Sequence, residues 1–324
     1  MIIDCHNHVG ADLLFYLHGD FPYAQHLVAM HDEGLALGVS RWMVFPFVSH
    51  LALDVSAFRD GEIKDAAGRL HDVPYAFENL RLLKEIYELF PDEGRRMLPL
   101  IMADPMRNTA AQAVELRKLR ARYHFYGIKM QTTILQADIK HLRDRGKVFL
   151  ELAEEWDLPF LIHSSVAESD LWAQARDILD VAEENPQVRF CLAHSCRFDK
   201  ECLDRVNALP NTWFDNSAHC IHCLGVVKDM PFVAPKSRRF DTDYTNPARV
   251  IADLAAAYPR KFMWGSDSPF YSYAAEINGQ VVRLISTYKA EVDALTAAGD
   301  EVVKRIAFQN TVDYLKLKDE SILS

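Results

Sequence analysis

Short, predominantly apolar runs alternate with longer amphipathic stretches along the chain. The runs contain no sustained polar alternation, which is typical of strands that are covered on both faces. Each has the length of a single strand and ends close to a polar residue. Eight such runs are present, at residues 1–8, 41–47, 97–103, 127–131, 159–163, 188–194, 212–216 and 261–267.

The stretches between these runs have helical patterns. Helices are predicted at residues 23–37, 75–90, 109–123, 145–156, 171–184, 203–209, 247–258 and 302–317. Strands that alternate with helices in this way predict an α/β fold of the (β/α)8 TIM-barrel type. The competing fold is an open, doubly wound sheet, but the glycine-rich phosphate loop expected after its first strand is absent from the sequence.

Two connections are long and irregular, at residues 48–74 and 217–244. Loops of this length in a compact domain are usually functional, and we expect both to shape a pocket. The pattern otherwise continues from end to end. It predicts one barrel domain over residues 1–324.

Composition narrows the classes of partner. The chain has 324 residues, of which 49% are hydrophobic and 25% charged, with a formal net charge of −10. An acidic protein is a poor match for nucleic acid or for an anionic membrane, since both attract basic surfaces. A small-molecule substrate is therefore expected, and a local basic cluster could still bind a small anion.

The sequence also suggests a location. No apolar run approaches the roughly 20 residues that span a bilayer, and the first residues do not resemble a signal peptide. We therefore expect a cytoplasmic protein, in which the six cysteines are mostly small buried hydrophobic residues. A homodimer is the default expectation for its assembly.

The first apolar run leads into two histidines, His6 and His8. Residues two apart in a strand point to the same face, so both imidazoles are expected on one side. Imidazole is the commonest protein ligand for zinc and similar ions. A metal site needs at least one or two further ligands from elsewhere in the chain.

Residues of suitable chemistry follow the other runs. In a (β/α)8 barrel the carboxyl ends of the strands surround the active site. Each such residue alone has an ordinary explanation, for example a hydrogen-bonded core histidine. Their occurrence at successive strand ends predicts a shared site formed by His6, His8, Lys129, His163, His194 and Asp267.

These segments resemble the amidohydrolase superfamily, in particular the amidohydrolase-2 branch that includes aminocarboxymuconate semialdehyde decarboxylase and related lactonases. The matching segments are residues 3–8, 127–129, 159–163, 192–195, 264–269 and 306–311. The resemblance implies that His6, His8, His163 and Asp267 bind one divalent metal, with zinc expected and Mn²⁺ an alternative. It also implies that His194 orients water or polarises the substrate, and that Asp267 accepts a proton from water.

Lys129 has two interpretations. In binuclear relatives a lysine on this strand is carboxylated and bridges two metals. In the branch resembled here the lysine is commonly not a ligand, and an unmodified Lys129 could instead pair with a substrate carboxylate or with an aspartate or glutamate in the barrel. One metal or two therefore stays open.

Two segments of the second long connection carry further candidates. Residues 219–223 combine histidine and cysteine, but their spacing does not provide the two separated halves of a structural zinc site. We predict a polar loop there, with His222 or His219 facing the substrate. Arg238 and Arg239 are candidates for binding a substrate carboxylate, because a guanidinium group offers two parallel donors.

The expected function is hydrolysis of a C–N or C–O bond, in an amide, lactone or related carbonyl compound, by water that a metal activates. The substrate is expected to be small and carboxylated. The alternative on the same residues is non-oxidative decarboxylation, or hydration, of an unsaturated carboxylic acid. A non-catalytic barrel is a third interpretation, which the complete set of ligand residues disfavours.

Overall fold

Parallel strands form the framework that positions the candidate site. The structure is a computed structural model that describes residues 1–12, 24–47, 54, 57, 62, 64, 73–277 and 279–318. Its strands are β1 (Ile3–Ala11), β2 (Ala24–Gln25), β3 (Arg41–Pro46), β4 (Met97–Met102), β5 (Gly127–Met130), β6 (Phe160–Ile162), β7 (Phe190–Leu192), β8 (Thr212–Asp215), β9 (Phe262–Met263), β10 (Ser272–Ile277) and β11 (Gln280–Ile285).

Helices alternate with these strands. They are α1 (Leu27–Ala36), α2 (Ala76–Lys84), α3 (Pro91–Gly94), α4 (Thr109–Arg120), α5 (Thr132–Leu135), α6 (Lys147–Glu155), α7 (Ala175–Glu184), α8 (Lys200–Ala208), α9 (His219–Val227), α10 (Pro247–Ala257), α11 (Tyr288–Ala297), α12 (Asp300–Lys304) and α13 (Asn310–Leu315). Short π-helical turns follow α2 and α12. None of the helices in the described ranges has the length and apolar character that crossing a membrane requires.

Strands β1 and β3 to β9 pair in parallel, each with the next along the chain. The sheet returns to β1 through backbone hydrogen bonds from Cys5 N to Trp264 O (3.2 Å), from Asp267 N to His6 O (2.9 Å) and from His8 N to Ser268 O (2.8 Å). We call this junction between β1 and residues 264–268 the seam. The predicted (β/α)8 barrel is confirmed.

The alternation of side chains along the strands separates two layers of core. One layer packs between the strands and the helices and includes Val44, Ile162 and Leu192. The other fills the barrel and includes Met43, Phe45, Leu161, Cys191 and Met263. Lys129 and Asp215 have the same parity as the inner residues of their strands, so their side chains enter the barrel.

The second long connection differs from its predicted form. Residues 217–244 were expected to be a loop, but α9 lies within them and buries seven of its nine residues. A helix buried on nearly every side lacks the polar face that reveals helical periodicity. The hairpin of β10 and β11 lies outside the predicted elements. The other predicted loop, at residues 48–74, falls almost wholly outside the described residues.

Candidate metal centre

Strand β1 carries the two histidines, and it changes phase along its length. Ile3 and Cys5 belong to the inner core, whereas His6 and His8 line a cavity at the open end of the barrel. The register between β1 and β3 shifts between Asp4 and Asn7, which is a bulge-like irregularity. Such irregularities redirect side chains. Here the shift places both imidazoles on the cavity side.

Asp267 meets both histidines across the seam. Its Oδ1 atom lies 3.2 Å from His6 Nε2 and 3.3 Å from His8 Nε2. Its Oδ2 atom lies 3.9 Å from His194 Nδ1. Gly265 allows this approach, because a Cβ atom at that position would lie 2.7 Å from His6 Cβ. Two histidines of the first barrel strand thus lie against a carboxylate that follows the last barrel strand.

Asp215, at the end of β8, orients His6. Its Oδ2 atom lies 3.0 Å from His6 Nδ1, and a carboxylate only accepts, so Nδ1 carries the hydrogen. The other oxygen, Oδ1, accepts from His194 N (3.1 Å), Ser217 N (2.9 Å) and Ser217 Oγ (2.5 Å). The tautomer fixed in this way leaves a lone pair on His6 Nε2, which faces Asp267.

The protonation states of His8 and Asp267 suit metal binding. Burial lowers the pKa of His8 to about 4, so its imidazole is neutral at pH 7. Burial raises the pKa of Asp267, but the contacts with His6 and His8 outweigh it and hold that pKa well below 3.8. The rings of Phe45 and Phe270 pack edge-on against His8, with centroids 4.6 and 4.7 Å away, and hold it in place.

A divalent cation fits this arrangement. Asp267 Oδ1 is buried and has no hydrogen-bond partner among the described residues, although two imidazole nitrogens lie close to it. Imidazole nitrogens and a buried carboxylate oxygen that converge on one point are a suitable ligand set for a metal ion. Ligand atoms of His6, His194 and Asp267 all lie within 4.8 Å of one another.

Lys129 reaches the same nitrogen of His6. Its Nζ atom lies 3.1 Å from His6 Nε2 and 4.7 Å from the centre of the Phe45 ring. Burial lowers the pKa of Lys129 to about 8, while Asp215 and Asp267 act in the opposite direction. Lys129 and a cation would therefore compete for the lone pair of His6.

His163 and His194 form a chain of hydrogen bonds beside this group. Arg197 Nη2 lies 3.3 Å from His163 Nε2, and His163 Nδ1 lies 2.9 Å from His194 Nε2. His194 Nδ1 in turn lies 3.1 Å from Ser217 O. Burial and the Arg197 charge hold the pKa of both histidines well below 6.5. His163 therefore contacts His194 and Arg197 rather than the pair formed by His6 and Asp267.

The cavity at this end of the barrel has a volume of about 520 Å³, within the range of small-molecule sites. Its other walls include the apolar side chains of Ile134, Ile221, Phe232 and Phe270. Seven of the predicted site residues line it, namely His6, His8, Lys129, His163, His194, His222 and Asp267.

The remaining candidates lie elsewhere. Arg238 pairs with Asp199 at 3.1 Å and Arg239 with Asp229 at 3.3 Å, and neither lines the cavity. The structure gives no support to their predicted carboxylate-binding role, because both guanidinium groups are engaged elsewhere. His219 lies in α9, with Nε2 2.9 Å from Pro247 O, and also faces away from the cavity.

Two residues of the site were not among those predicted. Asp215 ends a barrel strand, and the rule that pointed to the other strand ends could have found it. Arg197 lines the cavity from the turn after β7. The local sequence does not indicate that the Arg197 side chain enters the cavity, because its orientation depends on an unusual backbone conformation.

The whole chain was compared with known families after this geometry was established. The sequence model of the family described as Amidohydrolase matches residues 3–315, nearly the full length. The chain belongs to the amidohydrolase family. Enzymes of this family are metal-dependent hydrolases or decarboxylases, and the cluster of His6, His194 and Asp267 is the place where the described residues of this amidohydrolase could hold the metal.

Solved structures share the fold of this amidohydrolase. Dihydroorotase from Campylobacter jejuni is 16% identical with a TM-score of 0.53, covering 98% of this chain and 83% of that chain. The 5-carboxyvanillate decarboxylase from Sphingomonas paucimobilis is 12% identical with a TM-score of 0.57, covering 98% and 100%. Amidohydrolase 2 from Bifidobacterium longum subsp. infantis is 13% identical with a TM-score of 0.53, covering 98% and 99%. At these identities the likeness shows the fold alone, and no curated protein matches the chain.

Proposed function

We propose that this amidohydrolase hydrolyses a C–N or C–O bond of a small carbonyl compound, such as an amide or lactone. The observation that carries this proposal is the buried Asp267 carboxylate, ionised and in contact with His6 and His8 at the mouth of a cavity. Such a carboxylate can both hold a cation and accept a proton from water.

His6, His8 and Asp267 would hold the cation, with His163 as the further ligand that the family resemblance implies. Nitrogen and carboxylate donors of this kind suit zinc. When bound, a divalent ion lowers the pKa of water to about 7 and polarises a carbonyl oxygen. Asp215 keeps His6 in the tautomer that ligation needs, a common role of residues that contact metal ligands.

The remaining steps belong to the chain itself. Asp267 accepts the proton of the attacking water and can return it to the leaving nitrogen or oxygen. His194 lies beside Asp267 and, as a neutral imidazole, would orient water or substrate by exchanging its contact with His163 or Ser217 for one with that molecule. The apolar wall formed by Ile134, Ile221 and Phe270 limits the access of bulk water.

The test combines metal analysis with turnover. Purified protein is analysed for metal, treated with a chelator, and reloaded with Zn²⁺ or Mn²⁺, and each form is assayed on a panel of amides, lactones and unsaturated carboxylic acids. We expect turnover only in the loaded forms, and its loss in Asp267→Asn with the barrel still folded by circular dichroism. Full turnover by the chelator-treated protein would refute the proposal.

Labelled water separates hydrolysis from decarboxylation. Hydrolysis incorporates ¹⁸O from water into the product, whereas decarboxylation releases carbon dioxide without it. Metal content identifies the further ligand: His163→Ala should lose metal if His163 ligates, and His194→Ala should lose it if His194, whose ligand atom lies within 4.8 Å of those of His6 and Asp267, takes that place. Release of carbon dioxide as the sole product would replace hydrolysis with decarboxylation.

A further inference from the structure

Arg197 is a cation inside the cavity, and none of the described residues gives it a carboxylate partner. Its guanidinium nitrogens contact His222 Nε2, His163 Nε2 and Ser164 O. Within the described ranges, no carboxylate oxygen lies within ion-pair distance of it. The nearby Asp170 is engaged by Thr133 Oγ1 and by the backbone N–H groups of residues 172 and 173.

The donors of Arg197 are only partly used. A guanidinium group has five N–H donors. One, on Nε, donates to Ser164 O at 3.2 Å, and one each on Nη1 and Nη2 point to His222 and His163. These three contacts leave two N–H donors of Arg197 unused, one on Nη1 and one on Nη2. That is the number a carboxylate needs for two-point binding.

An unusual backbone directs Arg197 into the cavity. The residues from His194 to Phe198 have φ angles between 46° and 65°, and none is glycine. Consecutive left-handed residues other than glycine strain the backbone, and such strain is concentrated at functional sites. Backbone bonds from Ala234 N to Arg197 O and from Phe240 N to Phe198 O, both 2.9 Å, hold the turn.

The surroundings favour a planar, charged guanidinium. The Phe232 ring centre lies 5.9 Å from Arg197 Cζ, a distance at which an aromatic ring attracts a cation. His163 and His222 are neutral acceptors, because burial and the Arg197 charge lower the pKa of each. They position the guanidinium without neutralising its charge.

We propose that Arg197 binds a non-reacting carboxylate group of the substrate, and so selects small carboxylic acids. This inference rests on the proposed function for the identity of the reacting end. His163 and His194 separate Arg197 from Asp267, so the bound carboxylate lies away from His6, His8 and Asp267. The carboxylate therefore anchors the substrate and is retained in the product.

Binding, rather than turnover, tests the inference. The probes are succinate, glutarate and benzoate, their neutral amides, and inorganic phosphate. Calorimetric titration uses the full chain, both loaded with Zn²⁺ and after chelation, so that direct coordination of a carboxylate by metal is recognised. The variants are Arg197→Gln, Arg197→Lys and, as a matched control in a neighbouring ion pair, Arg238→Gln.

We expect at least one carboxylate probe to bind both forms of the wild type, and its amide to bind at least tenfold more weakly. Arg197→Gln should weaken that binding about 10- to 100-fold, the range of a lost charged hydrogen-bond pair. Arg197→Lys should restore part of it, and Arg238→Gln should leave it unchanged. Added guanidinium ion should partly rescue an Arg197→Ala variant.

Several results would overturn the inference. They are an unchanged dissociation constant in Arg197→Gln, equal binding of the amide, tighter binding of phosphate than of every carboxylate, or no binding of any carboxylate by the wild type. The proposed hydrolysis can fail independently. In that case carboxylate binding still depends on Arg197, but no substrate is turned over by the loaded enzyme.

Discussion

Replacing Asp215 with asparagine tests how His6 is prepared for a metal. Three donors converge on Oδ1 of Asp215, whereas Oδ2 faces His6 Nδ1 at 3.0 Å and, more weakly, the Cys191 thiol at 3.8 Å. An asparagine side chain should therefore keep its oxygen at the Oδ1 position and place its NH2 group against His6. Two N–H groups cannot face each other, so His6 must move its hydrogen to Nε2, the atom that faces Asp267.

The size of the effect follows from this tautomer change. Loss of a hydrogen-bond partner of a ligating histidine typically weakens metal binding 10- to 100-fold, about 1.4–2.7 kcal/mol. We expect the upper part of that range for Asp215→Asn, because the variant not only removes an acceptor but also favours the non-ligating tautomer. A chelator competition titration with Zn²⁺ measures the change directly.

Asp104→Asn is the matched control. Asp104 is also a buried carboxylate just beyond a barrel strand, but it pairs with Arg107 at 2.8 Å, and no histidine in the described part of the chain contacts it. We expect this control to lose stability while keeping its affinity for metal. If a folded Asp215→Asn bound Zn²⁺ within twofold of the wild type, the orienting role of Asp215 would be refuted.

Three other substitutions probe the packing and charge of the barrel. Burial of Glu291 raises its pKa from 4.5 to about 8. The contribution of this group to the free energy of unfolding is therefore complete below pH 4.5 and is lost as the pH rises towards 8, at about 1.4 kcal/mol per pH unit. Glu291→Gln should lack this dependence in urea unfolding between pH 5 and 8, and parallel pH curves would contradict it. Gly265→Ala should cost about 1–3 kcal/mol and weaken Zn²⁺ binding by displacing His6, whereas unchanged melting and affinity would contradict that expectation. Tyr288→Phe removes the acceptor of the buried Trp42 Nε1 (2.9 Å) and should cost about 1–3 kcal/mol in urea unfolding, so an unaltered midpoint would argue against a contribution from that bond.

The barrel could be predicted because its signal is local and repeated. Apolar runs of strand length can be recognised without knowing their neighbours, and barrel geometry then gathers the polar residues that end them. The closeness of His6, His8 and Asp267 follows from that rule alone. Their assignment as ligands stays a prediction, as does that of His163, whose contacts are with His194 and Arg197.

Other parts depend on contacts that local patterns do not contain. The direction of Arg197 results from five left-handed residues held by Ala234 and Phe240, which are distant in sequence. Helix α9 hides its periodicity because both of its faces are buried. Arg238 and Arg239 illustrate the opposite case. In the sequence they form a basic cluster that could bind a substrate carboxylate, but in the structure they are paired with Asp199 and Asp229.

The seam has a consequence for how the protein is assembled. A cation shared by His6, His8 and Asp267 would cross-link the first and last strands of the barrel, which are joined at the seam by only a short stretch of backbone pairing. Loading would then stabilise the closed form by about 2.7 kcal/mol at a free-ion concentration 100 times the dissociation constant. The supply of the metal during synthesis would thus affect the fraction of the protein that stays folded, as well as the activity of each folded molecule.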